Sequence, residues 1–187
     1  MSPQSFVGDA WLCWFASWML AAWWQDRAVK RATTSSEIAY RVLTMVGAIL
    51  LFGLGARYLG GDAVLWRPAR VGQWMLAAAA LTGFAVTWWA RLHIGRLWSS
   101  GVTRKADHRV VDTGPYGLVR HPIYSGVTLS AVATACMRGT VHAWIGTAIL
   151  VLGFYVKARL EEGFLREQLG PTYDDYAKRV SMLVPFL

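Results

Sequence analysis

The sequence has little charge: 16% of its residues are Asp, Glu, Lys or Arg, whereas 55% are hydrophobic and the mean hydropathy is +0.34. A water-soluble domain of 187 residues needs more polar surface than this. The composition therefore excludes an ordinary soluble protein and predicts an integral membrane protein. Acidic residues are scarcer than basic ones, and we attribute the net charge of +8 to membrane orientation and to attraction for anionic lipid headgroups.

Cysteine is also scarce, and both cysteines, Cys13 and Cys136, lie in apolar runs where a small buried side chain is the ordinary role. They indicate neither a disulfide nor a metal site. A basic helix or an aromatic-basic platform outside the apolar runs is missing as well, which argues against a nucleic-acid partner. The sequence shows no internal repeat and no low-complexity linker, so we expect residues 1–187 to form a single membrane domain.

Apolar windows suggest how the chain crosses the membrane. A helical crossing needs roughly 20 apolar residues, and the candidate windows are residues 6–24, 38–56, 71–90, 122–137 and 140–156. The last two are short and are separated by Arg138 and Gly139, which indicates a tight helical hairpin. Since lipid-exposed backbone must satisfy its own hydrogen bonds, we predict an all-α integral membrane protein with about five transmembrane helices. The first window lacks a preceding basic residue, and we expect a retained span rather than a cleaved signal peptide.

Basic residues orient these five spans, because cytoplasmic loops are enriched in Lys and Arg. Placing the N-terminus outside leaves most of the 19 basic residues on the inner side. We therefore predict a cytoplasmic C-terminus, in a bacterial inner membrane or the endoplasmic reticulum. Residues 1–90 would be a three-helix N-terminal part, and residues 91–187 would contain the cytosolic cofactor-binding and catalytic part.

The densest polar segment, residues 114–126, directly precedes the fourth apolar window. His121 comes before a proline and is disfavoured in a helix, whereas Pro122 suits a first helical turn. The spacing predicts a helix that begins at these two residues. Its free N–H groups and its dipole would favour an anionic group such as a carboxylate or phosphate.

A second polar cluster, residues 157–162, ends the fifth apolar window. An apolar hairpin would return it to the depth of His121, so we predict that the two clusters form one pocket. Lys157 and Glu161 are four residues apart and share a helix face, whereas Arg159 and Glu162 would project from other faces. Structural roles stay open as alternatives to ligand binding. Cations at the end of a span are commonly interfacial anchors, tyrosines commonly lie at the membrane interface, and His121 could cap the helix.

Several motifs resemble the isoprenylcysteine carboxyl methyltransferase family over roughly the C-terminal half of the chain. They are Gly114-Pro115-Tyr116, Arg120-His121-Pro122-x-Tyr124-x-Gly126, Glu161-Glu162, Gly170-x-x-Tyr173-x-x-Tyr176 and Val180 through Pro185-Phe186-Leu187. The resemblance implies a membrane-embedded enzyme that transfers a methyl group from S-adenosyl-L-methionine to a carboxylate of a lipophilic substrate such as an isoprenylcysteine. It also implies that the cofactor enters from the cytosol and the substrate from the bilayer.

The family pattern further implies individual roles. Cofactor contacts would fall on His108, Arg109, Val110, Val111, Tyr116, His121, Pro122, Ile123, Tyr124 and Glu161. Family enzymes hold the substrate carboxylate with an arginine four residues before the first matching glutamate, where this chain has Lys157, with Arg159 two residues further on. Lysine lacks the planar fork that grips a carboxylate. Either Arg159 takes over this catalytic role, or the substrate differs from prenylcysteine.

Two other functions compete with this one. Related membrane methyltransferases share the Arg-His-Pro-x-Tyr type of turn, which leaves methylation of a phospholipid or another lipophilic amine as an alternative. A non-enzymatic membrane carrier or scaffold is less favoured, since it would use the same charged residues only for binding or assembly. The sequence does not indicate an oligomeric state.

Overall fold

The structure, a computed structural model, is described for residues 1–21, 30–31, 34–54, 63–95, 98, 103–104 and 110–186. Helices dominate this part of the chain, which confirms the all-α class. They are α1 (Pro3–Ala21), α2 (Thr34–Leu51), α3 (Arg70–Ile94), α4 (Pro122–Arg138), α5 (Val141–Leu169) and α6 (Pro171–Arg179). A short 3-10 helix spans Gly114–Gly117, and a two-residue ladder pairs β1 (Lys30–Arg31) with β2 (Thr103–Arg104) in antiparallel orientation.

Each of the five apolar windows coincides with one of the helices α1 to α5. The predicted hairpin is confirmed: α4 ends at Arg138, and Gly139 takes a left-handed φ of 61° before α5 begins. Only α3 and α5 among the described helices are long and apolar enough, by length and composition, to count as membrane-crossing candidates. The number of spans and the orientation of the termini therefore remain predictions.

Helices α3 and α4 pack with their backbones in contact. A Cβ atom on Gly126 would lie 2.6 Å from the carbonyl oxygen of Gly83, so neither position has room for a larger residue. Nearby, the hydroxyl of Ser130 donates a hydrogen bond of 2.8 Å to the carbonyl of Ala80 on α3. These contacts fix the position of α4 and with it the start of that helix at Pro122.

Helices α2 and α5 form a second close antiparallel pair. A Cβ on Gly47 would lie 2.5 Å from the backbone nitrogen of Leu150, and a Cβ on Gly153 would lie 2.8 Å from the methyl group of Thr44. Tyr40 lies one turn before Thr44 in α2, and Lys157 lies one turn after Gly153 in α5. The same register of the two helices therefore brings Tyr40 next to Lys157.

Two tryptophans of α1 attach this helix to α3 and α4 by hydrogen bonds. The indole N–H of Trp11 donates to Thr134 of α4 at 3.0 Å, and that of Trp14 donates to Thr87 of α3 at 2.7 Å. Large apolar side chains remain exposed on its other face, and Leu12 is one of them. Such a surface is better matched to hydrocarbon than to water.

The C-terminal segment, residues 180–186, folds back along the start of α4. The backbone N–H groups of Arg120 and His121 donate to the carbonyls of Ser181 and Met182, at 2.8 and 3.1 Å. Helix α6 and this segment therefore cover the turn that carries the Arg-His-Pro motif.

Candidate active site

Three side chains meet around Glu161 of α5, and we call the four residues the Glu161 cluster: His121, which directly precedes α4, Tyr124 of α4, and Lys157 and Glu161 of α5. Tyr124 donates a hydrogen bond of 2.7 Å from its hydroxyl to Glu161 Oε1. Glu161 Oε2 lies 3.5 Å from His121 Nδ1, and Glu161 Oε1 lies 4.0 Å from Lys157 Nζ. The two polar segments of the sequence are thus brought together, as the hairpin predicted.

Stacked rings form one wall of the Glu161 cluster. The rings of His121 and Tyr124 are nearly parallel, with centroids 5.4 Å apart, and Tyr124 stacks in turn on Phe154 at 5.2 Å. His121 and Tyr124 can stack because the residue that precedes a helix and the third residue of its first turn lie side by side. Lys157 Nζ lies 5.3 Å from the Tyr124 ring centroid, within cation–π range. The wall is therefore aromatic and carries a cation at its edge.

A second set of charges lies directly behind the cluster, and we call it the Glu162 brace: Arg120, Glu162, Arg166 and Asp174. Arg120 Nε donates to Glu162 Oε1 at 2.7 Å, and Arg166 Nη2 donates to Glu162 Oε2 at 3.2 Å. Arg166 Nε also reaches Asp174 Oδ1 on α6 at 3.1 Å. Glu162 thus projects from a different face of α5 than Lys157 and Glu161, as expected, and the start of α4 and helix α6 both pack against that face.

His121 connects the cluster to the brace. Its Nε2 lies 3.4 Å from Glu162 Oε1, an ion-pair distance without hydrogen-bond geometry. Burial lowers the pKa of His121, but the carboxylates of Glu161 and Glu162 raise it more, so that the net pKa lies above its ordinary value. Protonated His121 therefore stabilises the fold below the ordinary histidine pKa, and this contribution is lost as the pH rises through the raised value.

Tyr116 in the 3-10 helix forms a second aromatic wall of the candidate site, apart from the stacked rings of His121 and Tyr124. Its ring stacks on His93 of α3, with centroids 6.3 Å apart, and its carbonyl accepts a hydrogen bond of 2.7 Å from the hydroxyl of Tyr176. Burial raises the pKa of Tyr116, which keeps the phenol neutral. Gly114 has a φ of 57°, and a Cβ there would lie 2.7 Å from His93 Cε1, so both the backbone conformation and the close packing require glycine.

Four further cofactor candidates lie in the described segments on either side of the 3-10 helix. Pro122 is buried and Ile123 is half-buried in the first turn of α4, which begins where the sequence predicted. Val110 and Val111 are half-buried in the segment that leads into the 3-10 helix.

One described candidate, Arg159, is not brought to the cluster. Arg159 is exposed on a face of α5 that points away from Lys157, as expected for residues two apart in a helix. His108 and Arg109 lie outside the described residues. Of the two cations considered for the substrate, the structure thus places Lys157 next to Glu161.

Sequence reasoning missed two aromatic residues beside the Glu161 cluster, Phe154 against Tyr124 and Tyr40 against Lys157. Phe154 precedes Lys157 by three residues, and helical spacing alone would have placed it on the same face. Tyr40 lies on a different helix, 5.4 Å from Lys157 Nζ to its ring centroid. Its position depends on the α2–α5 register, for which the only sequence signal is the glycine spacing.

The Glu161 cluster is suited to bind a polar ligand that carries hydrogen-bond donors. Glu161 is the carboxylate of this cluster, and 21% of its side chain is exposed, compared with 1% for Glu162. A carboxylate has about four lone-pair sites, so Glu161 can accept hydrogen bonds from a ligand in addition to the one from Tyr124. The start of α4 offers free backbone N–H groups next to it, where negative charge is favoured.

A family of known proteins matches the segment of this chain that contains the site. Residues 75–167 match the isoprenylcysteine carboxyl methyltransferase family. Protein-S-isoprenylcysteine O-methyltransferase B of Arabidopsis thaliana is 34% identical over 87 residues, which cover 46% of this chain and 44% of that protein. The matched segment holds all four residues of the Glu161 cluster but neither Tyr40 nor α6.

Two bacterial proteins match over longer stretches. Methanethiol S-methyltransferase of a Pseudomonas species is 30% identical over 142 residues, 65% of this chain and 53% of that protein. Cobalt-zinc-cadmium resistance protein CzcN of Cupriavidus metallidurans is 28% identical over 151 residues, 78% of this chain and 61% of that protein. The chain spans about half the length of the curated relatives it matches.

Proposed function

Because this chain belongs to the isoprenylcysteine carboxyl methyltransferase family, we propose that it is an S-adenosyl-L-methionine-dependent methyltransferase that acts on a carboxylate of a lipophilic substrate such as an isoprenylcysteine. The observation that carries this proposal is the meeting of the α4 start with Lys157 and Glu161 in one cluster. It combines a hydrogen-bond acceptor, an anion-favouring helix start and a cation within a few ångströms.

The described residues fit the proposed cofactor. Glu161 would accept hydrogen bonds from ribose hydroxyls, and the N–H groups at the start of α4, around Ile123, would hold the methionine carboxylate. Val110, Val111 and Tyr116 would flank the adenine. His121, Pro122 and Tyr124 complete the proposed contact set in the described part, with His108 and Arg109 as further candidates. When bound, the cofactor supplies a methyl group that is already activated on a sulfonium sulfur.

Lys157 is the better candidate for orienting the acceptor. Its ammonium lies at the cluster, whereas Arg159 is exposed on another face of α5. A carboxylate is ionised at neutral pH and needs no general base, so the residues act mainly by positioning it within about 3 to 3.5 Å of the methyl carbon. An ammonium at this place attracts a carboxylate and repels a protonated amine. This charge disfavours methylation of a phospholipid amine.

A thiolate is a second candidate acceptor. The methanethiol S-methyltransferase covers 65% of this chain, compared with 46% for the Arabidopsis relative. Lysine at position 157 is a point charge without a planar fork, and a point charge suits a sulfur anion as well as a carboxylate. We rank this acceptor second because the segment matched to the family includes the whole Glu161 cluster.

The proposed enzyme is a single membrane domain that crosses the bilayer five times, with its N-terminus outside and its C-terminus in the cytoplasm of a bacterial cell or facing the cytosol from the endoplasmic reticulum. The five long helices and their exposed apolar side chains support this arrangement. The Glu161 cluster would then face the cytosolic pool of the cofactor.

Transfer of a radiolabelled methyl group tests the function. The purified protein in lipid nanodiscs would be given labelled S-adenosyl-L-methionine and one of three acceptors: N-acetyl-S-farnesyl-L-cysteine, decanethiol or phosphatidylethanolamine. We expect label on the farnesylcysteine, released as methanol by mild alkali because the product is an ester. Alkali-stable label on the thiol or the amine would replace the carboxylate with that acceptor. No transfer, together with no binding of S-adenosylhomocysteine, would favour the carrier or scaffold.

Replacing each cation in turn tests which one orients the acceptor. We expect Lys157→Met to raise the KM for N-acetyl-S-farnesyl-L-cysteine about tenfold or more, because a charge-assisted contact is lost. Arg159→Met is the matched control, and its KM should stay within about twofold of the parent protein. The dissociation constant of S-adenosylhomocysteine, measured by calorimetry, should change little in either variant. A larger rise in KM for Arg159→Met than for Lys157→Met would show that Arg159 orients the acceptor.

A further inference from the structure

We propose that Tyr40 on α2 binds the methyl acceptor, its hydroxyl and the ammonium of Lys157 together forming a recess for the acceptor's anionic group. This proposal rests on the proposed methyl transfer and adds a specificity residue to it. Tyr40 lies outside residues 75–167, the segment matched to the family, so the acceptor site would be completed by the N-terminal part of the chain.

The position of Tyr40 is the first support. Lys157 Nζ lies 5.4 Å from the Tyr40 ring centroid and 5.3 Å from that of Tyr124, so that two phenol rings flank the ammonium. Tyr124 already donates its hydroxyl hydrogen to Glu161. Tyr40 is therefore the phenol beside Lys157 whose donor is not committed to the cofactor-binding carboxylate.

The unsatisfied hydroxyl is the second support. Tyr40 is only 3% exposed, and its hydroxyl has no hydrogen-bond partner among the described residues. Its neighbour Arg41 pairs with Glu37 at 3.7 Å, and the Arg41 guanidinium also lies near the Tyr40 hydroxyl without reaching hydrogen-bond geometry. A buried hydroxyl without a partner is destabilising, and an oxygen or sulfur anion held by Lys157 would supply the acceptor that the hydroxyl lacks.

The third support is that the α2–α5 contact holds Tyr40 in place. The backbones approach so closely at Gly47 and Gly153 that a Cβ there would lie 2.5 Å from Leu150 N and 2.8 Å from Thr44 Cγ2. Helices packed this closely cannot slide past each other without a clash. Tyr40 and Lys157, one turn beyond these contacts, are thus held at a fixed separation, as precise recognition of a small anionic group requires.

Binding measurements separate a role in recognition from a role in packing. The protein, saturated with S-adenosylhomocysteine, would be titrated by calorimetry with N-acetyl-S-farnesyl-L-cysteine and with its methyl ester, which lacks the charge. The test variant is Tyr40→Phe, which keeps the ring beside Lys157. The control is Tyr155→Phe, on an exposed tyrosine of α5. We expect Tyr40→Phe to weaken binding of the acid about tenfold and to leave ester binding within about twofold, with the control unchanged.

Two results would overturn the proposal. Unchanged binding of the acid by Tyr40→Phe would show that the hydroxyl does not contact the acceptor. Equal weakening for acid and ester would show that the hydroxyl supports packing rather than recognition of charge. Neither result bears on whether the parent protein methylates the acid, which the transfer assay decides separately. If that assay fails while the parent still binds the acid more tightly than the ester, the Tyr40 comparison still decides whether this hydroxyl recognises the anion.

Discussion

Glu161 and Glu162 are consecutive residues of α5 with opposite surroundings. Glu162 has 1% of its side chain exposed and is paired with Arg120 and Arg166, whereas Glu161 has 21% exposed and meets an imidazole, a phenol and an ammonium. Consecutive residues point about 100° apart around a helix. One carboxylate therefore faces the packed start of α4 and helix α6, while the other faces the opening of the cluster.

The two carboxylates therefore have different roles: Glu162 holds the site together, whereas Glu161 is available to bind ligands. Glu162 connects α4, α5 and α6, since Arg120 also donates to the carbonyls of Ala177 and Val180 at the end of α6. Its oxygens are occupied by guanidinium donors within the protein. Glu161 keeps capacity for further donors, and its partners are the residues that we propose to meet cofactor and acceptor.

Breaking the brace should have the largest effect. Glu162→Gln leaves the buried guanidinium of Arg120 without its counter-charge, which typically costs about 3 to 5 kcal/mol. We expect a marked fall in thermal stability, measured by circular dichroism of the detergent-solubilised protein, and a loss of activity that follows unfolding. Glu167→Gln, at an exposed position of the same helix, is the control and should change stability by less than about 0.5 kcal/mol. A similarly small change in Glu162→Gln would show that the brace does not hold the three segments together.

Neutralising the other carboxylate should affect binding more than stability. Glu161→Gln is nearly isosteric but replaces two strong acceptors by one weaker carbonyl, so we expect the dissociation constant of S-adenosylhomocysteine to rise about tenfold or more. The fall in unfolding temperature should be smaller than for Glu162→Gln, because Glu161 is the more exposed carboxylate, but larger than for Glu167→Gln, because its pair with His121 is lost. Calorimetry and a melting curve on the same preparation measure both quantities. Unchanged affinity would show that Glu161 is an interfacial anchor and does not bind the cofactor, so that the proposed difference in role between Glu161 and Glu162 would be wrong.

Local sequence rules predicted the elements that form the site. The His121-Pro122 pair predicted where α4 begins, and Arg138-Gly139 predicted the hairpin that returns α5 to the same depth. These features depend on neighbouring residues, because proline disfavours helix before it and glycine allows a left-handed turn. The meeting of Lys157 and Glu161 with the start of α4 follows from two helices joined by a short turn.

Other features depend on packing that hydrophobicity does not report. Helix α5 continues to Leu169, well past residue 156 where its apolar window ends, because Ala, Leu, Glu and Arg there favour helix even though they are not all apolar. Glu162 points inward only because α6 and the C-terminal segment cover that side. Tyr40 reaches Lys157 through a register between two helices that lie far apart in sequence.

The smallest predicted effect concerns Tyr176, which links α6 to the Tyr116 wall. Its hydroxyl donates to the carbonyl of Tyr116 at 2.7 Å, and Tyr176→Phe removes this single neutral hydrogen bond, at a cost of about 1 kcal/mol. If α6 serves only the brace, this loss appears as a small fall in melting temperature with unchanged cofactor affinity. If α6 also positions Tyr116 against the adenine, the dissociation constant of S-adenosylhomocysteine should rise about two- to fivefold as well. Tyr173→Phe is the matched control, since its hydroxyl has no hydrogen-bond partner among the described residues. The comparison of these two variants shows whether α6 only stabilises the fold, as Glu162 does, or also contributes to cofactor binding, as we propose for Glu161.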